Sequence, residues 1–138
     1  MTNNKLKAVI NLKDKTIITP VLDWIDFKAK ECSWTIFSSA TDEFDENVSL
    51  YDKLIKYTGL KDKNKKEIYE GDIVKIPDNY DKYGFFAGEV REVYFAFGAF
   101  RLKPIRNENV IGNHLEDNFE FEIIGNIFEN PELLNKGK

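Results

Sequence analysis

The feature that most constrains the fold is a polar loop that runs directly into an apolar strand, in residues 57–76. The loop contains Asp62 and Asn64, whose side chains bond their own backbone and favour turns. It is followed by a bend at Gly71, a residue that takes positive φ at little cost. The β-branched residues beyond the bend favour an extended chain. The stretch therefore predicts a turn, a tight bend and a strand, an order that often begins a small SH3-like β-barrel.

The same loop has a functional interpretation, because it presents four closely spaced lysines: Lys61, Lys63, Lys65 and Lys66. A lysine cluster is a candidate contact for an acidic protein or for nucleic acid phosphates. Acidic side chains in the same stretch nearly cancel this positive charge. The architectural interpretation is therefore preferred, and the lysines are kept as the candidate partner contact.

Two segments carry a family signature. Residues 57–64 and 67–74 read YTGLKDKN and EIYEGDIV, and residues 123–134 read IIGNIFENPELL. In order and spacing, both segments resemble the YopX family, a largely uncharacterised group of phage and prophage proteins. Such proteins often begin with an Arg-x-Trp-like segment, which residues 7–10 lack.

The resemblance implies an SH3-like barrel in the C-terminal part, a phage origin and no established catalytic residues. It also implies a structural role for the signature positions of the two segments. These positions are Tyr57, Gly59, Gly71, Asp72, Gly125, Asn126, Asn130 and Pro131.

The alternation of apolar and polar residues predicts a mainly β fold. With its short helix, the same fold would be classed as β-rich α+β. Residues 5–19 read as a hairpin, and residues 21–27 and 32–38 as short strands. The polar, acidic residues 39–47 read as a loop. Residues 49–56 fit either a short helix or the start of a strand, because their apolar side chains satisfy both patterns.

Further along, residues 85–94 and 99–103 read as a hairpin with Gly98 at its turn. Residues 77–83 and 104–117 are polar and irregular. Residues 119–123 alternate apolar and acidic side chains, which predicts a half-buried strand. A short helix is predicted from Pro131, with Asn130 as its cap.

Three parts are predicted along the chain. Residues 1–56 form a short β-rich N-terminal segment, which is a candidate subdomain of its own. Residues 57–130 form the small SH3-like β-barrel, and residues 131–138 form a short C-terminal helix or tail. A chain of 138 residues fits one domain with a small appendage.

The composition of the chain indicates its cellular compartment and the classes of partner it can bind. Cys32 is the single cysteine, so neither an intramolecular disulfide nor a cysteine-rich metal site is expected. The sequence has no apolar run near the roughly 20 residues of a membrane-spanning helix and no signal-peptide core. These features predict a protein of the reducing host cytoplasm with no membrane partner. The net charge of −4 argues against a broad nucleic-acid footprint.

No catalytic, metal or cofactor residues are predicted. His114 is the only histidine and lies in a polar segment, and no nucleophile elbow or Gly-rich phosphate loop occurs. The acidic residues 42–47 lack the spacing of a calcium loop. The aromatic run 95–100 faintly resembles an RNA-stacking strand, but core packing is preferred, as it is for Trp24 and Trp34.

Three functions follow from these observations. The first is a non-enzymatic, oligomeric protein-interaction module that binds itself and an unidentified host or phage protein. The alternative is a nucleic-acid-binding accessory protein that uses the Lys61–Lys66 loop and the aromatic residues of 94–100. The third is an enzyme of unrecognised type, which would need a pocket with convergent acids.

Overall fold

The computed structural model describes residues 5–77, 88–103, 113–114 and 120–137, the pairs 113–114 and 135–137 by their backbone alone. The fold is mainly β and includes a curled half-barrel sheet, which confirms the predicted fold class. The chain divides into two compact units, residues 1–56 and residues 57–138. The loop predicted after Ile76 and the irregular segment from residue 104 lie largely outside the described residues.

Strands account for most of the described chain. They are β1 (Leu6–Asn11), β2 (Thr16–Ile18), β3 (Trp24–Asp26), β4 (Glu31–Ser38), β5 (Glu43–Leu50), β6 (Lys53–Lys61), β7 (Glu67–Tyr69), β8 (Asp72–Lys75), β9 (Val90–Ala96), β10 (Ala99–Lys103), β11 (Asn113–His114) and β12 (Glu122–Asn126). A 3₁₀ helix, Pro131–Gly137, follows them.

The first unit contains the predicted N-terminal hairpin, β1 and β2, and a three-stranded sheet with the order β3-β4-β5. β1 also pairs with the start of β6, where Lys7 lies opposite Ile55. Apolar side chains from β1 and β4 are buried together, and partly buried residues pack around them. This core contains Ala8, Ile10, Cys32 and Trp34, surrounded by Ile17, Leu22, Ile25, Tyr51 and Leu54.

Two sequence predictions in this unit need correction. Residues 43–47 are not a loop, because Glu43–Leu50 is a strand paired with all of β4. Their acidic side chains are exposed. Charge disfavours the burial of a side chain, but it does not prevent the backbone from forming a strand with that side chain in solvent. The helix alternative for residues 49–56 is also wrong, since Lys53–Lys61 is a strand.

The second unit is built on a five-stranded antiparallel sheet with the order β11-β10-β9-β8-β12. The predicted hairpin at residues 85–103 is confirmed for β9 and β10. The end of β6 pairs with β7, where Tyr57 lies opposite Tyr69. The buried core is apolar and consists of Ile68, Val74, Ile76, Val93, Leu102 and Phe121.

The loop that opens this unit is organised by one buried carboxylate. Asp62 is 4% exposed, and its Oδ1 accepts hydrogen bonds from the backbone N–H groups of Asn64 and Lys66, at 2.8 and 2.9 Å. Lys65 adopts a φ of 65° at the tip of the turn. Asp62 Oδ2 accepts a third bond, 3.0 Å from Ile123 N. The predicted turn is thus confirmed, and it is fastened to the C-terminal signature segment.

The two signature segments meet a second time at the bend. Gly71 has a φ of 91°, and its carbonyl accepts a hydrogen bond from Ile127 N at 2.8 Å. Asn126 Oδ1 accepts bonds from the N–H groups of Phe128 and Glu129, at 3.0 and 2.8 Å. We call this junction of residues 70–72 and 125–131 the signature corner.

Four other signature residues, Asp72, Gly125, Asn130 and Pro131, belong to the corner, whereas Tyr57 and Gly59 lie in β6. Asn130 lies at the predicted cap position, where its carbonyl accepts a hydrogen bond from Leu133 N at 3.1 Å and its Oδ1 accepts one from Asn126 N. Pro131 begins the 3₁₀ helix, as predicted. A Cβ at Gly125 would lie 2.7 Å from Asn130 Oδ1. Asp72 Oδ2 accepts a bond from Tyr69 N at 2.8 Å.

Gly71→Ala is expected to destabilise the protein by about 1–3 kcal/mol, because an L side chain is strained at this φ. The new Cβ would also lie 2.5 Å from Phe128 Cε2, so the ring must move. Gly98→Ala is the matched control: its φ is 78°, yet no atom lies within 4 Å of a Cβ at that position. Urea unfolding should show a larger loss for Gly71→Ala; equal losses would contradict a steric role for the corner.

Candidate functional site

The predicted lysine site is a loop whose four lysine side chains are all exposed: Lys61, Lys63, Lys65 and Lys66. Lys63 Nζ lies 3.7 Å from the carboxylate of Glu122, an exposed pair of small energetic weight. The Asp62 hydrogen bonds fix the backbone of the loop, while the lysine side chains point to solvent. The structure therefore brings the four charges together on a rigid turn.

A second exposed feature is the tip of the β9–β10 hairpin. Phe95 is exposed and Phe97 is 76% exposed, so the prediction of core packing is wrong for both residues. Phe97 and Gly98 both have positive φ, 52° and 78°, as a two-residue type I′ turn requires. The guanidinium carbon of Arg101 lies 6.0 Å from the centre of the Phe97 ring. Phe100 is half-buried and packs against the core, as predicted.

The lysine loop and the aromatic tip lie at opposite ends of the five-stranded sheet. Glu122, which contacts Lys63, is opposite Lys75 at one end of β8. β9 runs from Val90, also opposite Lys75, toward the other end of β8 and continues past it to the tip. The lysines and the aromatic run therefore do not form one continuous surface.

An exposed apolar surface that sequence analysis missed lies on the sheet of β3, β4 and β5. Five large apolar side chains are exposed on one side of this sheet; Phe44, at 72%, is the most exposed of them. We call this surface the outer face, and it consists of Trp24, Phe37, Phe44, Val48 and Leu50. Period-two alternation through Phe44, Glu46, Val48 and Leu50 was the signal that would have revealed the strand.

The strand register places these residues on one side of the sheet. Phe37 is opposite Phe44, and Ser33 is opposite both Val48 and Trp24. The Phe37 and Phe44 ring centres are 4.8 Å apart, a typical cross-strand aromatic pair. The other side of β4 carries the buried Cys32 and Trp34, so the apolar face with Phe37 and Phe44 points away from the core.

β5 also has a free edge within the described part of the chain, because the sheet order β3-β4-β5 leaves it paired on one side alone. Its eight residues form a long edge strand with apolar side chains on the outer face. Such an edge presents unpaired backbone N–H and C=O groups and is a template for pairing with another chain. The outer face and the free edge together form the candidate interaction surface.

Two buried groups have shifted proton affinities. Burial raises the pKa of the Tyr69 phenol, and the neighbouring Glu67 carboxylate raises it further. Burial likewise raises the pKa of the Cys32 thiol, with an added contribution from Glu31. Because both pKa values are raised, the Tyr69 phenol and the Cys32 thiol stay protonated at neutral pH.

Cys32 is therefore expected to be unreactive toward Ellman's reagent in the native protein, because a thiolate is the reactive species and the side chain is fully buried. One thiol per chain should react after the addition of guanidinium chloride. Rapid reaction of the native protein would contradict this placement of β4 in the core. The experiment also establishes whether Cys32 is silent when other cysteines are introduced.

Within the part of the chain that the structure describes, no group of three or more His, Cys, Asp or Glu side chains is arranged to hold a metal ion. His114 is described by its backbone, which pairs with Arg101 in the sheet. Over the same described residues, no helix has the length and apolar character needed to cross a membrane.

Comparison with known families identifies the chain. The family model described as YopX protein matches residues 9–135. The chain belongs to the YopX family. Its match includes both signature segments and all of β5, so the signature corner and the outer face both lie inside the YopX region.

One solved structure has a similar fold. The YopX chain described here is similar to protein EF1440 from Enterococcus faecalis, with 28% sequence identity and a TM-score of 0.55. The similarity covers 94% of this chain and 96% of that one. No match was found among curated proteins.

Proposed function

We propose that this YopX protein is a non-enzymatic protein-interaction module that assembles with a second copy of itself through the N-terminal sheet. The observation that carries the proposal is the outer face of β3, β4 and β5, where five large apolar side chains lie exposed beside a free strand edge. Apolar clusters of this kind are typical of protein contacts, and aromatic residues dominate the binding energy of such contacts.

The distribution of charge along β5 favours a second copy as the occupant. The first half of the strand holds its acidic residues, Glu43, Asp45 and Glu46, and the second half, residues 47–50, is uncharged. A twofold interface uses the same surface on both copies and must be self-complementary. Two antiparallel copies of β5 place the acidic half of one against the uncharged half of the other.

The same acidic residues argue against nucleic acid as the occupant of this surface. Glu46 lies on the same side of the sheet as Phe44, and Glu43 and Asp45 are its neighbours along β5; these three charges would repel phosphates. The proposed setting is the host cytoplasm, which the single cysteine supports because reducing compartments do not require paired cysteines.

Removing apolar side chains from the outer face is expected to dissociate the assembly. Size-exclusion chromatography with light scattering should give the mass of a dimer or a larger assembly for the wild type, and of a monomer for Phe44→Ser combined with Leu50→Ser. The matched control is Leu12→Ser, which changes another exposed leucine of the first unit, outside the three-stranded sheet. Circular dichroism verifies that each variant is folded. An unchanged mass for the double variant would exclude the outer face as the interface.

A second candidate function, nucleic-acid binding, is favoured by one observation: all four loop lysines are exposed on a fixed turn. Anisotropy of labelled single- and double-stranded oligonucleotides tests this function, because phosphate binding weakens steeply with salt. Changing Lys61, Lys63, Lys65 and Lys66 to Glu should abolish any such binding, whereas Lys13 and Lys15, exposed in the N-terminal hairpin, provide the matched control substitutions. Absence of binding at low salt excludes this function.

A further inference from the structure

We infer that two copies join along the free edge of β5, in an antiparallel pairing centred on Asn47, and that their three-stranded sheets become one continuous sheet. This inference rests on the proposed function and specifies its geometry. It predicts which backbone groups bond across the interface, which side chains lie opposite each other and which residue lies on the twofold axis.

The hydrogen bonds between β4 and β5 determine which backbone groups point to the free edge. Tyr51 N donates to Lys30 O at 2.9 Å, in line with the register that sets Glu31 opposite Leu50. Bonded and non-bonded pairs alternate along an antiparallel ladder. The next bonded pairs from this end are therefore Cys32–Ser49 and then Trp34–Asn47. It follows that the odd-numbered residues of β5 bond to β4.

The even-numbered residues of β5 consequently direct their N–H and C=O groups to the free edge. These residues are Phe44, Glu46, Val48 and Leu50, whose side chains lie on the outer-face side of the sheet. A second strand must bond to these same four residues, so even-numbered residues must pair with even-numbered residues. This condition also places the outer faces of the two copies on the same side of the joined sheet.

The register centred on Asn47 satisfies this condition over the longest stretch of β5 that avoids setting like charges opposite each other. Centring on Asn47 sets Phe44 opposite Leu50 of the second copy and Glu46 opposite Val48. Centring on Glu46 or on Asp45 sets two identical carboxylates directly opposite each other, which is destabilising. Centring on Val48 shortens the paired stretch and sets Phe44 opposite Asp52.

The Asn47 register makes a cysteine at this position a geometric probe. Asn47 would face its own counterpart in a non-bonded pair, where the Cα atoms of opposite residues are about 4.5 Å apart. This separation lies inside the range that a disulfide spans. Asp45 would lie four residues from its counterpart along the strands, roughly 13 Å at the rise of an extended chain, which is beyond that range.

The experiment is mild oxidation of full-length Asn47→Cys, followed by a non-reducing gel, with Asp45→Cys as the matched control. Wild-type protein serves as the background, because Cys32 is buried in the core. We expect a covalent dimer as the main product for Asn47→Cys and a yield at least tenfold lower for Asp45→Cys. Asp45→Cys combined with Ser49→Cys should restore the dimer, since Asp45 lies opposite Ser49 in this register.

The outcomes separate the pairing from the proposed function. If light scattering gives a dimer or larger assembly for Asn47→Cys but no covalent product forms, the β5 pairing is wrong and self-association stands. A higher yield for Asp45→Cys than for Asn47→Cys also overturns the register. If the wild-type protein is monomeric at all concentrations, both the pairing and the proposed function are wrong.

Discussion

Arg91→Met is expected to destabilise the protein by about 3–5 kcal/mol, the cost of breaking a buried ion pair by removing one partner. Arg91 and Glu89 are 4% and 3% exposed at their side chains, and Arg91 Nη2 lies 2.9 Å from Glu89 Oε1. Arg91 Nε donates to the same carboxylate oxygen at 3.0 Å. Without Arg91, the carboxylate of Glu89 loses this charged partner inside the fold.

The size of the effect follows from where the pair lies. Arg91 is opposite Val74, a fully buried residue of the second unit. Arg91 Nη1 also lies 3.4 Å from the carbonyl oxygen of Leu102, another core residue. Because burial removes water from both charges, neither solvent nor salt compensates for the loss of one of them.

A double variant provides the control. Glu89→Leu combined with Arg91→Met replaces the pair with apolar groups and should recover most of the lost stability, because buried ion pairs are often no better than well-packed apolar residues. Urea unfolding of the wild type, both single variants and the double variant gives the coupling energy of the pair. A loss below about 1 kcal/mol for Arg91→Met, typical of an exposed pair, would contradict the burial of these charges.

Asp62→Ala should have the second largest effect, a loss of about 3 kcal/mol, because hydrogen bonds to a charged group are stronger than neutral ones and three are lost together. The Asp62 carboxylate accepts three backbone hydrogen bonds, from Asn64, Lys66 and Ile123. Two of them hold the lysine loop, and the third fastens it to the C-terminal signature segment. One substitution therefore removes the hydrogen bonds that hold the lysine loop and the bond that joins the loop to the C-terminal signature segment.

Two variants calibrate this result. Asp62→Asn keeps one acceptor oxygen and should lose an intermediate amount of stability. Asp14→Ala changes an exposed aspartate of the N-terminal hairpin and should alter stability by less than about 0.5 kcal/mol. Thermal and urea unfolding measure all three. If Asp62→Ala behaves like Asp14→Ala, the carboxylate does not organise the loop.

Sequence reasoning succeeded where local chemistry and the global fold agree. The Asp62 turn and the Gly71 bend were predicted from the residues themselves, since Asp bonds its own backbone and Gly accepts positive φ. The contact between the two signature segments was not predicted, because Gly71 and Ile127 are far apart in sequence and nothing in either residue specifies the other. Most of the signature residues lie at the signature corner, which supports the structural role that the family resemblance implies for them.

The outer face and the exposed tip of the β9–β10 hairpin were missed because their residues break the ordinary association between apolar side chains and burial. Phe44 lies among acidic residues, which favoured a loop, and Phe97 lies in an aromatic run, which favoured the core. Phe44 is exposed because of the register of its strand, and Phe97 is exposed because it lies in a turn. Neither the register nor the position of the turn can be read from composition. Surfaces of this kind are where local sequence rules are expected to fail for functional reasons.

Sedimentation velocity of the wild-type protein over a range of concentrations tests whether this YopX protein associates with itself through its N-terminal sheet. We expect a species of at least twice the 16.1 kDa chain mass, which shifts to the monomer on dilution or when Phe44 and Leu50 are changed to Ser. A single species at the monomer mass, unchanged up to the highest concentration measured, would rule out self-association.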